Sequence, residues 1–303
     1  MTEKDLKQAV LKSIQKTGYP LEQRVGKCLE RHGWSPFYSI TYVNPADKAQ
    51  RELDIMACKE IQYRRIELRI SCKRNSSKPW VFFTDDFPLG HKSFYLKMTP
   101  VSADRERYLK IPRVLKDLPF FSCSRIGINY TALFGSQQDK EARPLIRDGL
   151  YSTLTSVYHN IYPFGLMFDR RGTIYFFVLV FDGALFESYY DPESDKDTVN
   201  EASHILWKTF FPLARVDEYI KDHNDNDIPL EDVTYWFSQD FIVEIVLWDY
   251  FEQYLQNIES VFLNLKEEDL LLFGDPWTPE NFPKIVRDMP NLKPTPIKRP
   301  FLI

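Results

Sequence analysis

Residues 64–73, RRIELRISCK, decide the fold. Read at the period of two that a strand imposes, Ile66, Leu68, Ile70 and Cys72 share one face, and Glu67, Arg69, Ser71 and Lys73 share the other. The apolar face belongs on a core. The opposite face carries four consecutive polar positions, which packing alone does not require. Residues 51–57, RELDIMA, obey the same rule, with Glu52 and Asp54 opposite Leu53 and Ile55. Two neighbouring strands therefore each bring polar groups to one end, and the question is what those groups do there.

Working outward, residues 3–17 and 20–33 read as helices, the second opened by Pro20 and closed by Gly33, with Leu21, Val25, Cys28, Leu29 and His32 on one face. SITYVN is a strand, PADKAQ a loop, RELDIMAC and RRIELRISCK two more strands, the last ending in a turn after Lys73. Beyond it, ADRERYLKIPRVLKDL reads as a helix, SRIGINYTALF as a strand and KEARPLIRDGLYSTLTSVYHNIY as a helix started or broken at Pro144. GTIYFFVLVFDGALFESYY predicts two strands joined by a hairpin at Asp182-Gly183. ILWKTFFPLARV and VTYWFS predict further strands, and residues 239–266 a long aromatic helix. Seven prolines within residues 276–300 make the tail from 267 extended.

Composition narrows the class. A chain of 303 residues with 44% hydrophobic and 15% aromatic residues has material for a substantial core. Its longest apolar run, TIYFFVLVF, stops at Asp182 after nine residues, short of the roughly 20 that span a bilayer, and the charged start carries no export signal. A cytoplasmic protein without a membrane span is expected. Four scattered cysteines form no CxxC, five histidines no HExxH, and eleven glycines neither GxGxxG nor GxxxxGK[ST]. DHNDNDIPLEDV, residues 222–233, begins like a calcium loop, but Asp227 stands where glycine is needed and Val233 where glutamate is needed.

The net charge of −4 conceals an asymmetry. Residues 1–131 hold 24 Lys+Arg against 14 Asp+Glu, and residues 132–303 hold 15 against 29. The basic half suits a polyanion, whose phosphates it would neutralise. Charge alone is equally satisfied by two halves that attract each other or by ordinary solvated faces.

The residues resemble one family. GYPLEQRVGKCLERHGW, YVNPADKAQRELDIMA and ISCKRNSSKPWVFF, spanning about residues 18–83, resemble the start of a PD-(D/E)XK nuclease of the restriction-endonuclease-like superfamily, in the order helix-Glu, strand-Asp, strand-(E)xK. The resemblance implies that Asp54 is the central metal-binding carboxylate, that Glu22 completes the metal's ligands, and that Lys73 contacts the attacking water or the scissile phosphate. Mg²⁺, or Mn²⁺ in its place, would be the cofactor and DNA the substrate, with RNA not set aside.

Ser71 departs from the family pattern, standing where the second acid belongs. Glu67 shares its strand face but lies roughly 13 Å along the strand; Glu52, about 7 Å from Asp54, is the nearer auxiliary acid. Arg74 and Lys78 are expected to grip backbone phosphates, and Trp80 to pack in the core. The segments YRRIELR and DRERYLKIPRVLK are further phosphate-contacting surfaces or plain solvated faces.

The fold expected is α/β: a restriction-endonuclease-like mixed β-sheet flanked by helices, with a C-terminal α+β extension. Its divisions are a basic nuclease-like core at 1–131, an acidic extension at 132–266 and a proline-rich tail at 267–303. The activity expected is Mg²⁺-dependent endonucleolytic hydrolysis of DNA. The alternatives are a degenerate nuclease-like domain that binds nucleic acid or a partner protein, as in a prokaryotic defence assembly, and an interaction protein that docks a partner through its tail.

Overall fold

The computed structural model describes residues 3–15, 17–44, 47, 49–62, 64–86, 125–132, 142–161, 174–210 and 240–264. In chain order these form α1 (Glu3–Gln15), α2 (Tyr19–Arg31), β1 (Ser35–Val43), β2 (Gln50–Ile61), β3 (Arg64–Asp86), β4 (Arg125–Ala132), α3 (Ala142–Ile161), β5 (Ile174–Asp191), β6 (Lys196–Glu201), β7 (His204–Phe210), β8 (Asp240–Leu247), a 3₁₀ turn at Trp248–Tyr250 and α4 (Phe251–Asn264). The eight strands make one mixed sheet ordered β1-β2-β3-β4-β7-β8-β5-β6, with β3 also paired to β5.

The β3–β5 pairing is the axis of the molecule. The two strands run parallel from Ile66↔Ile174 to Asn75↔Gly183 and again from Trp80↔Leu185 to Phe83↔Ser188. A parallel pair needs a long crossover, and α3 lies in that connection. On its other edge β3 pairs antiparallel with β2 in its first part and with β4 in its last.

Buried on both faces, β5 reads FFVLVF without alternation, as a central strand must. Phe176, Val178 and Val180 join Ile66, Leu68, Ile70 and Cys72 under α2 and α4, packing on Leu21, Val25, Leu29, Leu255 and Ile258. Phe177, Leu179 and Phe181 face the other way, against Ile146, Leu150 and Leu154 of α3. The sheet thus lies between helices on both faces. Each fully buried Leu, Ile or Phe in these cores contributes roughly 1.5–3 kcal/mol of hydrophobic burial.

Three sequence expectations are corrected. Asp182-Gly183 is no hairpin: β5 passes straight through it. The apolar residues on both sides are core, Asp182 is paired with Arg24 and Arg74, and Gly183 lets the Asn75 carbonyl come so close that a Cβ would collide with it. Residues 239–266 are not one helix, because the β-branched run DFIVEIVL forms β8 between β5 and β7 before the chain turns into α4. No turn ends the third strand at Lys73; β3 continues to Asp86 across an irregularity between Asn75 and Trp80. Trp80 packs as expected, fully buried and stacked on Phe181 with ring centroids 3.9 Å apart. The helix expected at ADRERYLKIPRVLKDL, the strand at VTYWFS, the acidic loop at 222–233 and the proline-rich tail lie outside the described residues.

Candidate functional site

The polar ends of β2 and β3 meet where their ladder stops. The two strands are paired as far as Ile55↔Ile70, and Asp54 and Ser71 are the next residues in that register. On the other side of β2, between the pairs Tyr38↔Ile55 and Ile40↔Leu53, Ser39 takes a left-handed φ of 54°. Such a backbone is uncommon for serine and locally interrupts β1 beside Asp54.

The Asp54 side chain fills the gap. Its Oδ2 accepts the Cys72 backbone N–H at 2.6 Å and the Ser71 hydroxyl at 3.1 Å, and the Lys73 ammonium lies 3.6 Å away. All three contacts fall on Oδ2. Donors on one oxygen fix the carboxylate's orientation and leave Oδ1 for another partner. Ser71 is buried behind this carboxylate, while Asp54 and Lys73 are partly open.

Glu22 enters from the first turn of α2. Burial, and then the Asp54 carboxylate, push its carboxyl above the ordinary range; Lys73 pulls it back and Glu52 adds to the rise. Glu22 thus stands within electrostatic reach of Asp54, Lys73 and Glu52.

A cleft of about 520 Å³ opens over Asp54, Lys73 and Glu52, walled by Tyr42, Asn44 and Arg51 from the sheet side and by Arg147, Asp148, Tyr151, Ser152 and Thr155 of α3. Thr155 donates to the Tyr42 hydroxyl at 3.0 Å, tying helix to sheet. At Gly149 a Cβ would lie 2.8 Å from Leu179 Cδ1 and 3.1 Å from Lys73 Cε, so α3 presses directly on the lysine stem. The contribution of α3 was not expected from sequence; LIRDGLYS has the polar spacing of a helix face, but nothing in it says which strand end that face covers.

Other expected residues stand elsewhere. Arg74 is 3.4 Å from Asp182, which also binds Arg24 at 2.5 Å. The Lys78 backbone N–H donates to Asn75 Oδ1 at 3.0 Å. Neither Arg74, Lys78 nor Glu22 lines the cleft. In YRRIELR, Arg69 is no phosphate-contacting surface: it is wholly buried and ion-paired with Glu67, which Arg65 also meets at 3.2 Å. Glu67 is thus occupied by arginines.

A second cluster lies on the opposite face of the sheet. Cys28 of α2, His32 at its C-cap and Glu252 in the first turn of α4 place their ligand atoms within 4.8 Å of one another, close enough to coordinate a metal ion. His32 Nε2 and Glu252 Oε1 are 3.0 Å apart. Burial raises the Cys28 thiol, offset in part by a hydrogen bond from Arg31.

No family model, curated protein or solved structure matches the chain. The sites are therefore read from their own chemistry.

Proposed function

We propose that the protein is a Mg²⁺- or Mn²⁺-dependent nuclease of the PD-(D/E)XK type, hydrolysing DNA phosphodiester bonds in the cleft between the β2–β3 fork and α3. The observation that carries this reading is the convergence of Ser71, Cys72 N–H and Lys73 on one oxygen of Asp54. The neighbouring strands and the helix bearing Glu22 stand in the order the sequence resemblance implies, within a mixed sheet flanked by helices.

The donor set suits a hard ion. Asp54 and Glu52 on the cleft wall offer carboxylate oxygens, with Glu22 within electrostatic reach at its edge, and Mg²⁺ commonly takes only one or two carboxylates with the rest of its shell from water and phosphate. Bound there, the ion would supply charge neutralisation at the phosphate and a lower pKa for the attacking water. The chain's own part is positional. Ser71 and the Cys72 amide hold the Asp54 carboxylate still, and Lys73 sets an ammonium where negative charge grows on the phosphoryl oxygens. Arg51 and Arg147 on the cleft walls are placed to meet flanking phosphates, Arg51 after leaving its Asp47 partner.

Ser71 favours a second reading. Its hydroxyl occupies the place beside Asp54 where the pattern has an acid, and such a replacement also suits a silenced nuclease that binds nucleic acid or a partner without cutting. Plasmid and linear DNA incubated with Mg²⁺ or Mn²⁺ separate the two. Cleavage by the native chain that Asp54→Ala and Lys73→Ala abolish supports the nuclease; cleavage by Ser71→Glu alone, or DNA binding with no cleavage, supports the silenced form.

A further inference from the structure

We infer that Cys28, His32 and Glu252 form a Zn²⁺ site that pins the end of α2 to the start of α4. Three observations carry it. Cys28 lies in the last turn of α2 and His32 is the residue that caps its C-terminus, so the two side chains come together at the helix end. Glu252 reaches the same point from a different helix, and the three ligand atoms lie within 4.8 Å. The burial is graded, from a buried Cys28 through His32 to an exposed Glu252, which gives the ion a route in from solvent.

The donor set selects the ion. Thiolate and imidazole suit a borderline-soft transition ion and not Mg²⁺ or Ca²⁺, whereas one sulfur, one nitrogen and one carboxylate oxygen make a tetrahedral zinc set completed by a water. Binding replaces the Cys28 S–H bond with an S–Zn bond and releases that proton to solvent; the proton between His32 Nε2 and Glu252 Oε1 leaves for solvent or, by tautomer exchange, for Nδ1, and that hydrogen bond gives way to two metal bonds. This site is separate from the Asp54 cleft in both place and chemistry. It bears on it through α2, since Glu22 sits six residues before Cys28, roughly 9 Å along the helix.

Titration of the full-length, metal-stripped protein with Co²⁺, followed by Zn²⁺ competition, tests the site. The expected result is a near-ultraviolet sulfur-to-cobalt charge-transfer band that saturates at one equivalent, is displaced by Zn²⁺, and is lost in Cys28→Ser. Because Cys28 is a core residue, Glu252→Ala on the surface is the second variant; it should weaken Zn²⁺ at least tenfold and remove the rise in melting temperature that Zn²⁺ gives the native chain. No charge-transfer band in the native protein, a band that survives in a folded Cys28→Ser, or unchanged Zn²⁺ affinity in Glu252→Ala would overturn the assignment.

Discussion

Asp54 is held by two hydrogen bonds and an ammonium, all on one oxygen, and each donor has a distinct expected loss. Lys73→Met removes the charge and keeps the stem; DNA cleavage should fall by about 10²–10³-fold, the range for deleting one preorganised electrostatic donor, with DNA affinity changed far less. A drop confined to affinity would place Lys73 among the phosphate grips. Ser71→Ala gives up one hydrogen bond to a carboxylate, about 1.5–3 kcal/mol, and should slow cleavage by about 10- to 10²-fold. That Ser71 shares a face with Lys73, and Glu52 with Asp54, was legible in the sequence because a period of two sorts side chains by face whatever the tertiary structure; the roles expected of Asp54 and Lys73 and the departure at Ser71 come from the family resemblance alone. Arg69 sits on the same face and was misread, since periodicity tells which face a residue is on and not what covers that face.

At the scale of elements, two glycines test the packing. Gly149 sets α3 against Lys73, and Gly149→Ala should push the lysine stem aside: an ångström of displacement at a reacting group costs up to about 10²-fold in rate, so activity should drop more than the unfolding midpoint does. Equal losses of rate and stability would mean that the glycine serves packing only. Gly183→Ala should instead act on the fold, costing about 1–3 kcal/mol as β5 is forced off the Asn75 carbonyl, and urea unfolding would show it. The sequence misled at these same elements. Asp-Gly is a strong hairpin signal, but local turn preference loses when the run before it is buried, Leu185 beyond it is core, and a neighbouring strand needs a residue without Cβ. Residues 240–247 likewise read as helix until β5 and β7 offer partners on both edges.

Across the whole molecule, strands from both halves of the chain share one sheet, and long-range pairs fasten it. His204 on β7 and Glu244 on β8 lie 2.9 Å apart. Burial pushes the Glu244 carboxyl above its ordinary value of 4.5, against the pull of His204. A raised carboxyl holds its proton to higher pH in the folded chain than in the unfolded one. The stability it contributes is full below about pH 4.5 and is lost as pH rises through the raised value. Glu244→Gln should therefore gain on the native chain in urea stability between acid and neutral pH; a constant difference would show that Glu244 does not titrate in this way. Contacts of this reach were invisible in the sequence. Cys28 and His32 bring two of the three members together at the end of α2, but Glu252 joins them from 220 residues beyond His32.

The most direct test of the Asp54 cleft is the single-turnover cleavage rate of DNA in Mg²⁺ or Mn²⁺ at saturating protein, compared between the native chain and Asp54→Asn, with DNA binding followed in parallel by fluorescence anisotropy. The expected result is cleavage by the native chain that falls at least about 10²-fold in the variant while DNA is still bound. Cleavage that Asp54→Asn leaves intact, or a native chain that binds DNA and never cuts it, would contradict a nuclease centred on this carboxylate.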